Sequence, residues 1–261
     1  MNRLGKVAAG AALLAGTCGP AIAASYPASN WLPPANFVSI YGYEELSDNV
    51  AKATDGNVEF QIYHSGSLLP PKTTLQGVAD GAAVVGPVFP GYTPAEVPLN
   101  FLMNDTSFVV TDFFAAALAY TELATSNPRV MGEWLDKGVI FGGAYAVASY
   151  GIACMKPVEN KADLDGLKIR SAGGAQADWV QAIGGIPVAV PISDVFSGLE
   201  RGSIDCVLTD PTNIDQGNRL GEVVKAYNTL PLGTAIGANW VYNLDFWQGL
   251  EPSERRALLD N

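Results

Sequence analysis

Residues 165–210 read DGLKIRSAGGAQADWVQAIGGIPVAVPISDVFSGLERGSIDCVLTD, and this stretch contains a full alternation of strand and helix patterns. The pattern predicts strand, helix, strand, helix and strand in turn, which is typical of an α/β fold with a parallel sheet. The first strand, residues 167–170, ends in the guanidinium group of Arg170. The small loop Ser171-Ala172-Gly173-Gly174 follows, and we expect a helix to start near Ala175.

Arg170 stands where an open α/β sheet binds its ligands. Such sheets bind beyond the carboxyl ends of their strands, beside the N-termini of the following helices. One alternative is a surface arginine paired with a carboxylate such as Asp163 or Asp165. However, the loop that follows is too small to cover the charge, and a guanidinium can hold a carboxylate by two parallel hydrogen bonds. The position therefore predicts capture of an anion rather than chemistry on a substrate.

A second polar cluster follows the last strand of the stretch. Thr209, Asp210 and Asn213 stand at its carboxyl end, which is the binding edge of the sheet. Asp205 and Asp210 bracket the strand, and paired carboxylates could carry out acid–base catalysis. With a strand between them, a turn residue and a strand-end polar group are favoured instead. Asp210 could donate a hydrogen bond only if protonated, so Thr209 or Asn213 is the better ligand contact.

Aromatic side chains are candidates for the wall of a binding pocket. Tyr92 follows Pro90-Gly91 in a loop at a strand end, which is a favourable position. Trp31 is a further candidate. Trp240 follows Gly237-Ala238-Asn239 in a segment that could cross between lobes, so a pocket role and a core role are both open.

The N-terminus, residues 1–24, resembles a secretory signal. Arg3 and Lys6 precede a short apolar run, and an A-x-A site follows, so we expect cleavage near Ala23 and a periplasmic protein. The apolar run is too short to span a bilayer. Cys18 raises lipid attachment as an alternative, but the threonine before it favours soluble export without membrane insertion.

The chain is acidic. Loss of the two cations in the signal would take the formal net charge from -11 to about -13. Such a surface repels nucleic acid and anionic lipid. It does not exclude a small anionic ligand, because one local arginine outweighs a diffuse and screened surface field.

The chain offers few groups for catalysis or metal binding. His64 is the only histidine, and no C-x-x-C, G-x-S-x-G or glycine-rich phosphate motif occurs. We therefore expect no catalytic residues, no metal and no cofactor. Cys154 and Cys206 are the cysteines beyond the signal, and they could form one disulfide or stay as two buried thiols.

Outside the first stretch, hydrophobic periodicity predicts further elements. Helices are expected at 39–54, 112–125, 131–137 and 218–227. Strands are expected at 57–63 and at 82–89, the latter interrupted by Gly86-Pro87. Residues 139–155 are expected to contain a long strand passage between lobes, and residues 230–242 to be mostly extended.

A weak internal repeat indicates two lobes of similar build. The same order of features occurs at 75–85 and again at 196–208. Each copy has an apolar i, i+3 pair, then a glycine three residues later, then a short strand. Because no low-complexity linker is visible, crossing strands must join the lobes, which favours hinge bending. We expect lobe I at 25–147, with 235–250 returning to it, and lobe II at 148–234. Residues 251–261 would start a C-terminal helix of a chain that continues.

Several motifs resemble one known family. Four stretches are similar to its N-terminal elements, namely Trp31-Leu32-Pro33-Pro34, residues 52–60 (KATDGNVEF), Ser65-Gly66-Ser67-Leu68 and Pro90-Gly91-Tyr92. Residues 163–205 resemble its most specific segment, D-L-x-G-L-K-I-R followed by A-x-G-x-x-P-V-x-x-P-x-x-[DE]-V-[FY]-x-x-L-x-x-G-x-[IV]-D. The family is the DctP-like extracytoplasmic solute-binding proteins of tripartite ATP-independent periplasmic (TRAP) transporters.

The resemblance implies a two-lobed periplasmic binding protein fold, type II-like, that closes on an organic acid. Arg170 would be the carboxylate clamp, and a membrane permease driven by an ion gradient would receive the ligand. Many members carry a second arginine upstream, where this chain has Val147-Ala148-Ser149-Tyr150, and Ser149 is the candidate contact there. Ile192 stands where a phenylalanine is frequent. These departures favour one carboxylate held by Arg170 and a less charged remainder, rather than sialic acid or a C4-dicarboxylate.

Two alternatives differ in class from a transport protein. A secreted hydrolase on a similar fold would need a nucleophile with a base beside it, which the single histidine supplies poorly. A sensor-associated protein that presents its ligand to a receptor would have the same sequence features.

Overall fold

The computed structural model describes residues 25–105 and 107–261, so the predicted signal segment lies outside the described residues. The strands, numbered in chain order, are β1 Ser25–Ser29, β2 Glu59–Tyr63, β3 Val85–Val88, β4 Val139–Ala146, β5 Gly151–Cys154, β6 Lys168–Ser171, β7 Ile186–Ala189, β8 Cys206–Thr209, β9 Ala226–Asn228 and β10 Ile236–Asn243. The α-helices are α1 Phe37–Ser39, α2 Glu45–Ala53, α3 Thr74–Ala79, α4 Pro98–Asn104, α5 Phe113–Ser126, α6 Pro128–Asp136, α7 Gly174–Ala182, α8 Val195–Glu200, α9 Thr212–Asp215, α10 Leu244–Gly249 and α11 Pro252–Asp260.

The strands form two five-stranded mixed sheets with the same topology. Their orders are β2-β1-β3-β10-β4 and β7-β6-β8-β5-β9. In each sheet the first three strands pair in parallel and the last two join by antiparallel pairing. We call the halves built on the two sheets lobe I and lobe II. The predicted repeat is confirmed, because its two copies lead into β3 and β8, which hold the same place in their sheets.

Residues 165–210 fold as predicted, as β6-α7-β7-α8-β8. Ile169 of β6 packs with Val180 of α7 on one face of the sheet. Val207 of β8 packs with Leu199 of α8 in a separate cluster on the other face. Each of these buried side chains contributes about 1.5–3 kcal/mol of hydrophobic stabilisation. The helices therefore cover both faces of a parallel core, as in an α/β fold.

Helix ends follow the local sequence. Asp112 caps α5, with its Oδ1 accepting hydrogen bonds from the backbone of Phe114 and Ala115 at 3.0 Å. Asn127 caps α6 in the same way, and Pro128 occupies the first turn. Helix α11 is present as predicted, again with proline in its first turn.

Three predicted elements are wrong in detail. Residues 218–227 are not a helix but a 3₁₀ turn, Leu220–Glu222, followed by β9, because backbone pairing with β5 overrides the local pattern. Gly86 and Pro87 do not interrupt β3, which runs through both residues. Methyl groups of Thr74 and Val78 occupy the space where a Cβ of Gly86 would stand, so the glycine lets α3 pack closely against the strand. The passage at 139–155 is two strands, β4 and β5, which belong to different sheets.

Crossing segments join the lobes. The chain passes from β4 to β5 and returns before β10, and the two passages are hydrogen-bonded to each other. Val147 N donates to Ala235 O at 3.0 Å, and Tyr150 N donates to Gly233 O at 2.9 Å. These bonds order the two connecting segments, residues 145–150 and 233–237, as the lack of a linker predicts. We call these segments the hinge.

Cys154 and Cys206 form a disulfide between β5 and β8, so the two-thiol alternative is wrong. The two residues are register partners in the antiparallel pair, which brings their side chains to the same side of the sheet. Both are buried in the lobe II core.

Candidate ligand-binding cleft

A cavity, partly open to solvent, lies between the lobes at the carboxyl ends of the parallel strands. The lobe I contributions are Trp31, Leu32, Asn36, Phe37, Val38, Phe89 and Tyr92. The hinge contributes Tyr145, Val147, Tyr150 and Gly237. The lobe II contributions are Arg170, Ala172, Ile192, Thr209, Asp210, Thr212 and Asn213.

Arg170 lies near the end of β6 and is only 3% exposed. Its Nε donates to Val190 O at 2.9 Å and its Nη1 to Leu208 O at 3.3 Å. Among the residues that the structure describes, no carboxylate lies within 4.0 Å of the guanidinium. Asp163, the alternative partner, instead accepts hydrogen bonds from two backbone N–H groups of its own loop. A buried charge without a counterion is costly.

Tyr92 connects the two lobes across the cleft. Its hydroxyl oxygen accepts hydrogen bonds from Ile192 N at 3.0 Å and from Arg170 Nη2 at 3.3 Å. Both lone pairs of the oxygen are then occupied, which leaves the hydroxyl hydrogen to donate elsewhere.

Asp210 lies after β8 and is 2% exposed. Its Oδ1 accepts hydrogen bonds from the backbone N and the Oγ1 of Thr212, and its Oδ2 accepts one from Asn213 Nδ2 at 2.6 Å. Burial raises the pKa of the Asp210 carboxyl above its ordinary value, while the hydrogen bonds from Thr212 and Asn213 act in the opposite direction. In the described part of the chain, no lysine, arginine or histidine lies within 4.0 Å of it.

The rest of the wall is aromatic. Tyr92 packs edge-on against Phe89 at 4.9 Å and against Trp31 at 5.5 Å between ring centroids. Tyr145 and Tyr150 enter from the hinge. Burial raises the pKa of both hydroxyls well above the usual value, and the nearby Asp210 carboxylate adds to the effect. Both tyrosines are therefore neutral hydrogen-bonding groups at any physiological pH.

The structure brings six of the predicted site residues to this cleft and leaves two outside it. Lining the cavity are Trp31, Tyr92, Arg170, Thr209, Asp210 and Asn213. Trp240 is not among the lining residues and packs instead against Tyr43 and Tyr145, which fits the core alternative. Ser149 is also outside the lining, and its hydroxyl is buried without a hydrogen-bond partner in the described residues. The binding roles of the six stay predictions.

Sequence reasoning missed the hinge tyrosines and the contribution of α1. Tyr145 and Tyr150 lie on either side of the crossing point between β4 and β5, and Asn36 and Phe37 lie at the start of α1. No local motif marks them as ligand contacts. Tyr150 lies in residues 147–150, which contain no cation, and the resemblance indicates its neighbour Ser149 as the contact there.

The cleft does not contain hydrolytic machinery built on His64. The His64 ring lies in lobe I, with Nε2 2.7 Å from Glu44 Oε1 and Nδ1 3.1 Å from Asn30 Nδ2. Within residues 25–105 and 107–261, no group of three metal-binding side chains comes together. No helix in these ranges combines the length and apolar character needed to cross a membrane.

Two lobes of equal topology, joined by two crossing segments around a cleft, have the architecture of a two-lobed solute-binding protein. Residues 29–261 match the model of the family described as bacterial extracellular solute-binding protein, family 7. The chain belongs to that family, and the predicted family resemblance and two-lobed α/β fold are confirmed.

Individual proteins agree with the family assignment. The C4-dicarboxylate-binding periplasmic protein DctP of Rhodobacter capsulatus is 26% identical over 220 residues, which cover 83% of this chain. The chain spans 63% of the length of DctP, which is less than two thirds.

Solved structures share the fold. An extracytoplasmic solute receptor of Bordetella pertussis that binds pyroglutamic acid, DctP7, has a TM-score of 0.78 at 24% identity, covering 91% of this chain and 77% of that chain. A TRAP solute-binding protein from a marine metagenome, specific for pyroglutamate, has a TM-score of 0.79 at 22% identity, covering 91% and 76%. The matched proteins are named as binding proteins and receptors, which confirms the prediction of a binding protein rather than an enzyme.

Proposed function

We propose that this chain is the periplasmic solute-binding subunit of a TRAP transporter and that it captures a small organic acid with Arg170. The observation that carries the proposal is the buried guanidinium in the cleft, which has no carboxylate partner among the described residues. Relatives of similar fold bind pyroglutamate, and a curated relative is named for C4-dicarboxylates. Residues 1–24 would direct export and be removed near Ala23.

In this mechanism the ligand carboxylate completes the electrostatics of the cleft. Arg170 donates through the guanidinium N–H groups that its backbone contacts leave free, and Tyr92 donates its hydroxyl hydrogen. The aromatic walls then exclude water, which strengthens the ion pair by lowering the local dielectric. Lobe closure about the crossing hinge encloses the ligand, and docking to the permease releases it for uptake driven by an ion gradient.

A thermal-shift screen of mono- and dicarboxylates with the purified chain tests ligand capture. Binding raises the apparent stability by about 2.7 kcal/mol at a hundredfold excess of ligand over Kd. The variant Arg170→Ala is expected to lose about 2–5 kcal/mol of affinity, because a charged partner is removed from a buried pair. Arg219→Ala is the matched control, since Arg219 is exposed and paired with Glu222.

Near wild-type affinity in Arg170→Ala would reject the clamp, and a screen without any stabilising acid would reject the ligand class. Delivery needs a separate test. Cells that lack this chain should lose uptake of the bound acid, and uptake should return with the wild-type chain but not with Arg170→Ala. Mass spectrometry of the exported chain should place its first residue just after Ala23.

A further inference from the structure

The cleft contains a buried carboxyl group, that of Asp210, as well as the buried guanidinium of Arg170. Asp210 and Arg170 line the same cavity, and both are nearly inaccessible to solvent. Neither lies within 4.0 Å of an oppositely charged side chain in the described residues, so they do not neutralise each other directly. Two opposite charges kept apart in one small cavity provide a template for a ligand with two different ends.

Asp210 is held as a hydrogen-bond acceptor. Thr212 supplies two donors to its Oδ1, and Asn213 supplies one to its Oδ2. Asn213 is itself fixed, because its Oδ1 accepts a hydrogen bond from Asn218 Nδ2 at 2.5 Å. Since each carboxylate oxygen accepts about two hydrogen bonds, Oδ2 keeps one acceptor position. Asp210 is one of the residues that line the cavity.

The same carboxylate disfavours a second acid group on the ligand. Like charges close together in a buried site repel strongly, and one of them must take up a proton. A ligand N–H or O–H placed at Oδ2 would instead form a charge-assisted hydrogen bond, which is stronger than a neutral one. The aromatic side chains of the cavity wall suit a compact or cyclic carbon skeleton.

We propose that Asp210 is a specificity-determining residue and that the ligand is a monocarboxylate with a separate N–H or O–H group that donates a hydrogen bond to Asp210 Oδ2. The inference rests on the proposed function, because it assumes that Arg170 holds the carboxylate. Asn213 and Thr212 are positioning residues for Asp210 in this scheme.

Matched pairs of acids test the proposal by isothermal titration calorimetry. The first pair is pyroglutamate and 5-oxotetrahydrofuran-2-carboxylate, in which a ring oxygen replaces the N–H group. The second is mandelate and phenylacetate, which lacks the hydroxyl, and the third is lactate and propionate. Succinate represents a second carboxylate. In the wild-type chain the donor-bearing member of at least one pair should bind about 10- to 100-fold more tightly than its partner, and more tightly than succinate.

Two variants test whether Asp210 or Arg170 produces the selectivity. In Asp210→Asn the preference within that pair should fall to about threefold or less, because an amide is a weaker acceptor than a carboxylate. In Arg170→Lys both members should weaken by a similar factor, because the carboxylate end is the same in both, and the preference should persist.

The proposal is overturned if both members of every pair bind the wild-type chain within about threefold, if succinate binds best, or if Asp210→Asn keeps the preference. If Asp210→Asn fails to fold, the affinity ratios within the pairs and the affinity for succinate, both measured on the wild-type chain, still test the proposal. If acids bind and Arg170→Lys weakens them without any donor preference, only this proposal fails. If none of the seven acids binds, the proposed function fails for these ligands and the proposal fails with it.

Discussion

The hydroxyl oxygen of Tyr92 lies 3.3 Å from Nη2 of Arg170, and this contact joins lobe I to the charged group of lobe II. The same oxygen accepts the backbone N–H of Ile192. The residue that orients the guanidinium therefore also links the two lobes. Elsewhere the lobes approach at their glycine loops, where a Cβ on Gly91 would stand 3.0 Å from Ala172 O. We therefore expect the orientation of the ligand and the closure of the lobes to be coupled through Tyr92.

Removal of the Tyr92 hydroxyl should weaken closure. In Tyr92→Phe the Ile192 N–H loses its acceptor and Arg170 loses one contact, which costs about 1–3 kcal/mol when the groups stay buried. We expect faster dissociation of the tightest-binding acid from the thermal-shift panel, measured by stopped-flow fluorescence. Tyr41→Phe is the control, because Tyr41 is 66% exposed. An unchanged dissociation rate in Tyr92→Phe would exclude the coupling.

A second interlobe contact lies at the N-terminus of α7. Asp105, which follows α4 in lobe I, accepts a hydrogen bond from Ala175 N at 2.7 Å. Asp105→Ala should lower stability by about 1 kcal/mol, as for loss of a helix cap. It should also weaken ligand binding, because α7 follows the strand and loop that carry Arg170. Urea unfolding and calorimetry measure the two effects.

Asp112→Ala is the matched comparison for Asp105→Ala. Asp112 caps α5 within lobe I, so its loss should cost a similar free energy of unfolding and leave ligand affinity unchanged. If both variants change affinity equally, the interlobe contact has no special role in binding.

The disulfide should be a major source of stability in lobe II. It closes a loop with a sequence separation of 52 residues. Bridges of this kind stabilise by about 2–4 kcal/mol, mainly through the unfolded chain. The double variant Cys154→Ala, Cys206→Ala should lower the urea midpoint accordingly. A reductant added to unfolded protein should lower the urea midpoint of the wild type and leave that of the double variant unchanged. Equal urea midpoints for the oxidised wild type and the double variant would contradict the prediction.

Asp210 should make the ligand-free protein less stable as pH rises. Its folded-state pKa is raised by burial, so the folded protein binds the proton more tightly than the unfolded chain does. Stability from this group is present below the unfolded pKa and is lost as pH rises through the folded pKa. The stability of Asp210→Asn relative to wild type should therefore increase with pH. Urea unfolding over pH 4 to 8 measures the trend, and a flat difference would contradict it.

Asp163→Asn should show the opposite trend. Backbone N–H groups of Glu159 and Asn160 lower the pKa of the Asp163 carboxyl. Its contribution is present above the unfolded pKa and is lost as pH falls through the folded pKa. This variant should be less stable than wild type at neutral pH, and the two proteins should converge in acid.

Much of the fold and part of the cleft could be predicted from the sequence. The order β6-α7-β7-α8-β8 follows from apolar periodicity and glycine positions, which depend on neighbouring residues only. Arg170 could be placed in the cleft because parallel strands of one sheet end at the same edge. Tyr92 and Asp210 follow from the same rule, since each comes after a strand of a parallel core.

The remaining features depend on contacts between segments far apart in the chain. Residues 218–227 have a helical pattern, but they form a 3₁₀ turn and the start of the edge strand β9, because β5 offers a row of backbone partners. Tyr145 reaches the cleft because it lies at the end of β4 nearest the hinge, opposite Ala238 of β10, whereas Trp240 pairs with Gly143 farther into lobe I. Local periodicity determines which segments become strands and helices, since it acts over a few residues. Which side chains face the ligand is decided by how the two lobes meet, and no short stretch of sequence contains that information.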